Sequence, residues 1–154
     1  MQKKNNNKPA VVAVCISEKK GTVKTPVPEL FVREGYGIEG DAHAGELHRQ
    51  VSLLASESVD KLRYKIPGLE AGAFAENIQT SGICLYELPI GSRLRLGDAL
   101  LEVTQIGKEC LNEGCAIKQR TGDCVMPREG IFASVLKTGT IKPGDTIEVE
   151  RDYD

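Results

Sequence analysis

Glycine and proline interrupt this chain so often that only short regular elements fit between them. Sixteen glycines and seven prolines lie scattered among short apolar runs. Both residues break local structure, and short apolar runs bounded by them read as strands and turns in preference to long helices. The expected fold is mainly β, with a few short helices. At 154 residues the chain has enough mass for one core and needs no second domain. Residues 1–9 read as a flexible N-terminal tail and residues 10–151 as a single domain.

Charged residues make up 27% of the chain and the net charge is −2, a balance that argues against a nucleic-acid partner. Lys3, Lys4 and Lys8 precede an apolar run at residues 10–16, as in a signal peptide, but the run is short and lacks a small-residue cleavage site. No stretch approaches the roughly 20 apolar residues needed to cross a bilayer, so no membrane is expected. Five cysteines cannot pair completely, and their irregular spacing is unlike a secreted disulfide framework. Reduced thiols and a cytoplasmic location are the expectation.

Residues 10–17 form a β-branched, nearly continuous apolar run that reads as a buried strand. Residues 22–26 would return as a hairpin partner, stopped by Pro26 and Pro28, which lack amide donors. Residues 35–45 are glycine-rich, and the two histidines, His43 and His48, lie in and just after this segment. Val51-Ser52-Leu53-Leu54-Ala55 follows as a buried strand, which puts Arg49 and Gln50 at a strand entrance, a rigid position for a binding group. Ser56 then caps a helix whose apolar face is Val59, Leu62 and Ile66.

Glu76 and Asn77 read either as turn or cap residues or as a ligand-facing pair, a carboxylate acceptor beside an amide that both donates and accepts. Residues 83–104 contain two or three strands, with turns at Pro89-Ile90-Gly91 and Gly97-Asp98. Leu94 and Leu96 face one way, and Arg93 and Arg95 the other. Pro127 suits the first position of a second helix, along which Ile131, Phe132, Val135 and Leu136 form a stripe ending at Gly139. Such strands with two short helices fit a closed or nearly closed β-barrel, which removes exposed edges.

Residues 105–132 hold Cys110, Cys115 and Cys124, interleaved with Lys108, Lys118, Arg120 and Arg128. Nearby cations raise the thiolate fraction on which sulfur chemistry depends. Glu109, Glu113, Asp123 and Glu129 balance those cations, so the sequence leaves the local field undecided. Three chemistries stay open here. One is an activated thiol. Another is a zinc module of Cys110, Cys115 and Cys124 with Cys84 or His43, although the two-residue knuckle of common zinc sites is absent. The third is a redox pair of Cys110 and Cys115.

Taken together, the chain resembles the MOSC domain, the family named for the C-terminal region of molybdenum-cofactor sulfurases. The resemblance rests on Gly40-Asp41-Ala42-His43-Ala44-Gly45 with His48-Arg49-Gln50-Val51-Ser52-Leu53, and on Phe74-Ala75-Glu76-Asn77-Ile78. It extends through Pro89-Ile90-Gly91, Leu96-Gly97, residues 103–110, Gly130-Ile131-Phe132 and Pro143-Gly144-Asp145. The resemblance implies a MOSC-type β-barrel and a role with the molybdenum cofactor (molybdopterin), in sulfur transfer or in molybdenum-dependent reduction of N-hydroxylated compounds. The family's cysteine, at the end of a strand, falls on Cys110, which the resemblance makes both the catalytic thiolate and the molybdenum ligand. Lys108, Arg49 and Arg128 are then the charge partners of an anionic pterin-phosphate. Glu76 and Asn77 would read the pterin edge, with His43 and His48 as further phosphate or proton-handling groups. Implied partners are the cofactor or its carrier and a cysteine desulfurase or molybdoenzyme, with pyridoxal phosphate carried only by a partner desulfurase. A carrier that binds the cofactor without turnover needs the same residues.

Overall fold

A computed structural model describes residues 8–19, 23–45, 49–63, 66–107 and 129–150. It is mainly β. The strands are β1 (Ala10–Ile16), β2 (Thr25–Val27), β3 (Leu30–Arg33), β4 (Gly37–Ile38), β5 (Val51–Ala55), β6 (Ile78–Ser81), β7 (Arg93–Leu96), β8 (Ala99–Ile106), β9 (Ile131–Lys137), β10 (Gly139–Ile141) and β11 (Ile147–Glu150). One α-helix, α1 (Ser56–Arg63), and a 3-10 turn at Leu85–Glu87 complete the described elements. An eight-stranded sheet runs β11-β7-β8-β9-β5-β6-β1-β2, and a smaller sheet runs β10-β3-β4.

Most neighbours are antiparallel, but β5 and β6 run parallel. A parallel pair requires a crossover connection, and α1 with the loop after it provides one. The helix begins at Ser56 with Glu57 in its first turn and Lys61 and Arg63 in its last, an arrangement that complements the helix dipole. Its Val59 and Leu62 pack with Leu54, Phe74 and Phe132 into one apolar cluster. The larger cluster lies on the other face of the sheet, where Val51, Leu53, Leu94, Leu101, Val103, Ile131, Ala133 and Val135 meet. Strand β5 is buried throughout because it serves both clusters.

The second helix expected over residues 127–139 does not extend over residues 131–137, which are strand β9. Apolar residues at 131, 132, 135 and 136 suit a helical stripe, yet they also put Ile131, Ala133 and Val135 on one pleat face and Phe132 on the other. Pairing with β5 on one side and β8 on the other decides for the strand. The expected hairpin partner of β1 is shorter than the sequence suggests. It includes Pro26, which pairs opposite Cys15 at the sheet edge, where a missing donor is tolerated.

Register shifts between Val11 and Ala13, and at two places in the β8–β9 ladder, mark bulges that increase twist. An isolated antiparallel bridge joins Ala10 to Thr146, just before β11. It is supported by Val11 N–H donating to the Asp145 carbonyl at 2.8 Å and Gly144 N–H donating to the Val11 carbonyl at 2.8 Å. The start of β1 therefore lies against the entry to β11, although these strands stand far apart in the sheet order. Among the described residues no helix is long and apolar enough to cross a membrane.

Candidate functional site

Arg49 precedes β5 and is half-buried. Its Nε donates to Gln105 Oε1 at 3.2 Å, and its guanidinium carbon lies 5.4 Å from the centre of the Phe132 ring. Gln105 is fixed in turn by its Nε2 donating to the Gly107 carbonyl at 2.9 Å. Gly107 N–H donates to the Gly130 carbonyl at 2.6 Å, so β8 and β9 are clasped at the stem that bounds residues 108–128 in the sequence. Arg63 and Arg95 have acidic partners, Asp60 and Glu150, and the buried Lys24 has Asp41. Arg49 differs from these: among the described residues no carboxylate pairs with it. Such a planar, fixed guanidinium is suited to gripping phosphate.

A second polar group lies at the glycine-rich loop. The side chains of Lys24 and Asp41 are fully buried and paired, Nζ to Oδ1, at 2.9 Å. Lys24 Nζ also donates to Ser17 Oγ at 3.1 Å and lies 3.3 Å from His43 Nδ1. Asp41 accepts from Ser17 N–H and His43 N–H, each at 3.1 Å. Burial pushes the Asp41 carboxyl up, but the nearby His43 imidazole and Lys24 ammonium, with backbone bonds from His43 and Ser17, outweigh it and hold it well below the usual carboxylate range. The loop also approaches the start of β5. A Cβ on Gly37 would meet Gln50 Cβ at 3.2 Å and Ala44 Cα at 3.3 Å, so the neighbours of Arg49 and of His43 flank one glycine. Gln50 itself is buried, its Oε1 accepting from Val135 N–H at 2.9 Å.

Glu76 and Asn77 are wholly buried and engaged with the chain itself. Glu76 accepts from Gly72 N–H at 2.8 Å, Phe74 N–H at 3.0 Å and Gln79 Nε2 at 3.1 Å, which closes the turn before β6. Asn77 Oδ1 accepts from Ser52 N–H at 3.0 Å, and its Nδ2 donates to the Cys15 carbonyl at 3.0 Å. These bonds match the turn reading of the pair. Close by, Cys15 is fully buried, and its thiol is pushed up to about 12, first by burial and then by the Glu76 charge, against the opposing effect of Lys24. It is a packed, protonated thiol, unlike an activated one.

Cys84 is exposed, beside a cleft of about 250 Å³ lined by Lys61, Tyr86 and Glu129 among others. Among the described residues no group of three or more His, Cys, Asp or Glu side chains could hold a metal ion. His48, Lys108, Cys110, Cys115, Cys124 and Arg128 lie outside the described residues. Of the site residues expected from sequence, the structure thus describes His43, Arg49, Glu76 and Asn77. Lys24, Ser17 and Gln105 were not singled out by the sequence. Lys24 and Asp41 are 17 positions apart with β2, β3 and β4 between them, so no local pattern announces their pairing.

Residues 40–148 match the model of the MOSC domain. Over 135 residues the chain is 33% identical to a protein of Gibberella moniliformis named a reductase. The match includes 76% of this chain but spans only 23% of that protein's length. Among solved structures, the YuaD protein of Bacillus subtilis superposes with a TM-score of 0.75 at 24% identity, covering 92% of this chain and 95% of that one. YiiM of Geobacillus stearothermophilus gives 0.70 at 23% identity, over 93% and 75% of the two chains. These structures are similar in fold. With the family model spanning most of the sequence, the chain belongs to the MOSC domain family.

Proposed function

We propose that the chain binds the molybdenum cofactor, with Arg49 gripping its anionic phosphate and Cys110 supplying a thiolate to the metal. The observation that carries this reading is the state of Arg49, half-buried, held by Gln105 and Phe132, and without a carboxylate partner among the described residues. A half-buried guanidinium with no carboxylate partner among the described residues favours an anionic ligand over an empty site. The donor chemistry fits the cofactor: a guanidinium for phosphate and a soft thiolate for molybdenum. Lys108, Arg128 and His48 are the further charge partners in this proposal, with His43 on the loop beside Gln50. Glu76 and Asn77 act at one remove in it, since their polar atoms hold the turn before β6.

When bound, the molybdenum centre supplies sulfur-transfer or two-electron redox chemistry, while this chain's residues bind and orient it. In the sulfur-transfer form a cysteine desulfurase, which carries its own pyridoxal phosphate, is the partner; in the redox form the substrate class is N-hydroxylated compounds. The proposal includes closure of the sheet into a barrel, supported by the Ala10–Thr146 bridge, and a cytoplasmic location. The zinc alternative is disfavoured at His43, because the Lys24 ammonium 3.3 Å from Nδ1 opposes a metal cation there.

Cofactor loading tests the reading. Protein purified anaerobically from a host that makes the cofactor should carry the pterin. Arg49→Ala should retain about a tenth of it or less, the loss expected for a charge-assisted hydrogen bond. Arg49→Lys should fall between, since an ammonium cannot reproduce the bidentate grip. A folded Arg49→Ala protein loaded as fully as the parent would refute the assignment.

A further inference from the structure

An ammonium carries three protons and no acceptor. Lys24 Nζ has three polar side-chain neighbours: Asp41 Oδ1 at 2.9 Å, Ser17 Oγ at 3.1 Å and His43 Nδ1 at 3.3 Å. The Ser17 hydroxyl proton goes to the Lys19 carbonyl at 3.0 Å, which leaves its lone pairs to face Lys24. All three ammonium protons are therefore used only when His43 Nδ1 is also an acceptor. The other acceptor within reach of that nitrogen, Asp41 Oδ2, lies at 3.7 Å, too long for a hydrogen bond. With both side chains of the Lys24–Asp41 pair fully buried, leaving an ammonium proton without an acceptor would cost more than any gain His43 could make by turning its own Nδ1 proton toward Asp41.

We infer that Lys24 fixes His43 as a neutral imidazole protonated on Nε2, so that His43 offers an oxyanion a hydrogen bond and Lys24 is its positioning residue. Nε2 is at the ring end away from Nδ1, and among the described residues no partner is assigned to it. The His43 side chain is 18% exposed, so part of the ring is within reach of a ligand. The same geometry excludes two other roles. Nε2 bearing a proton is neither a metal ligand nor a general base, and Nδ1 faces a cation. The inference deepens the proposed cofactor site, on which its choice of ligand rests, by assigning His43 to a phosphate or carbonyl oxygen and not to the metal.

The test reads the tautomer directly and without cofactor. Long-range ¹H–¹⁵N spectra of the full chain, recorded above the ordinary histidine titration range and assigned with His48→Gln, should show His43 with a protonated Nε2 and an unprotonated Nδ1. In Lys24→Met the proton should move to Nδ1, toward Asp41. Titrating inorganic phosphate into the parent should shift the His43 Nε2 signal, and the shift should shrink in Lys24→Met. Should Lys24→Met not fold, the parent spectrum and the phosphate titration still decide. A parent His43 protonated on Nδ1 overturns the positioning role, whatever cofactor the protein binds. A correct tautomer with no response to millimolar phosphate overturns the oxyanion-donor role. Loss of cofactor loading in Arg49 variants bears on the site itself and leaves the tautomer result standing.

Discussion

Asn77 meets Cys15 through two hydrogen bonds, its carbonyl accepting the Cys15 N–H at 2.7 Å and its side-chain amide donating to the Cys15 carbonyl at 3.0 Å. Its Oδ1 faces the opposite flank and accepts from Ser52 N–H at 3.0 Å. Strand β6 lies between β1 and β5, and just before it begins the Asn77 side chain joins those two strands in its place. Asn77→Ala leaves a buried N–H and a buried carbonyl without partners. The expected loss is about 2–5 kcal/mol of unfolding free energy, read by urea denaturation.

The Lys24–Asp41 pair predicts an asymmetry between single and double variants. Lys24→Met leaves the Asp41 carboxylate buried without its cation and should cost about 3–5 kcal/mol. Lys24→Met with Asp41→Leu should recover part of that loss, because the uncompensated charge goes with its partner. Because the folded Asp41 carboxyl is held below its unfolded value, its stabilising contribution is present above about pH 4 and is lost as the pH falls further. Melting temperature against pH should therefore decline less steeply below about pH 4 in Asp41→Asn than in the parent.

Cys15 shows the opposite sign. Its folded thiol is raised from 9.0 to about 12, so its contribution is full below pH 9 and is lost as the pH climbs from 9 toward 12. Cys15→Ala should flatten the alkaline limb of the stability curve. In the native parent at neutral pH, iodoacetamide with peptide mapping should label exposed Cys84 and leave buried Cys15 unmodified until denaturant is added.

Gly72 holds the loop against Lys24, with Lys24 N–H donating to the Gly72 carbonyl at 2.9 Å. Its φ is +91°, and an added Cβ would lie 2.0 Å from the Lys24 carbonyl oxygen. Gly72→Ala therefore combines left-handed strain with a backbone overlap that no rotamer relieves, and should cost more than about 2 kcal/mol. Thermal unfolding measures it, with Gly68→Ala as the comparison, since Gly68 has a similar φ but open space around it.

Local chemistry made some elements legible from sequence. Alternating Arg93-Leu94-Arg95-Leu96 before Gly97-Asp98 reads as a strand entering a tight turn, and β7 and β8 pair across it. Ser56 marks the start of α1, and the apolar run after Gln50 is a strand buried on both faces. Elements decided by distant neighbours were not legible. Ile78-Gln79-Thr80-Ser81 looks too polar for an inner strand, yet Gln79 and Thr80 are buried where β6 pairs with β1 and β5. The stripe along β9 fits a helix equally well until β5 and β8 are brought alongside. At the site, sequence singled out Arg49 by its place before β5 and His43 by its glycine-rich loop, whereas Lys24 becomes visible only once the fold carries it to Asp41.

Molybdenum and zinc content per chain, measured after anaerobic purification from a cofactor-producing host with Cys110→Ser in parallel, tests the central claim most directly. Molybdenum bound to the parent and lost from a folded Cys110→Ser protein is the predicted result. Equal molybdenum in both would contradict thiolate ligation by Cys110, and stoichiometric zinc without molybdenum in the parent would contradict the cofactor assignment itself.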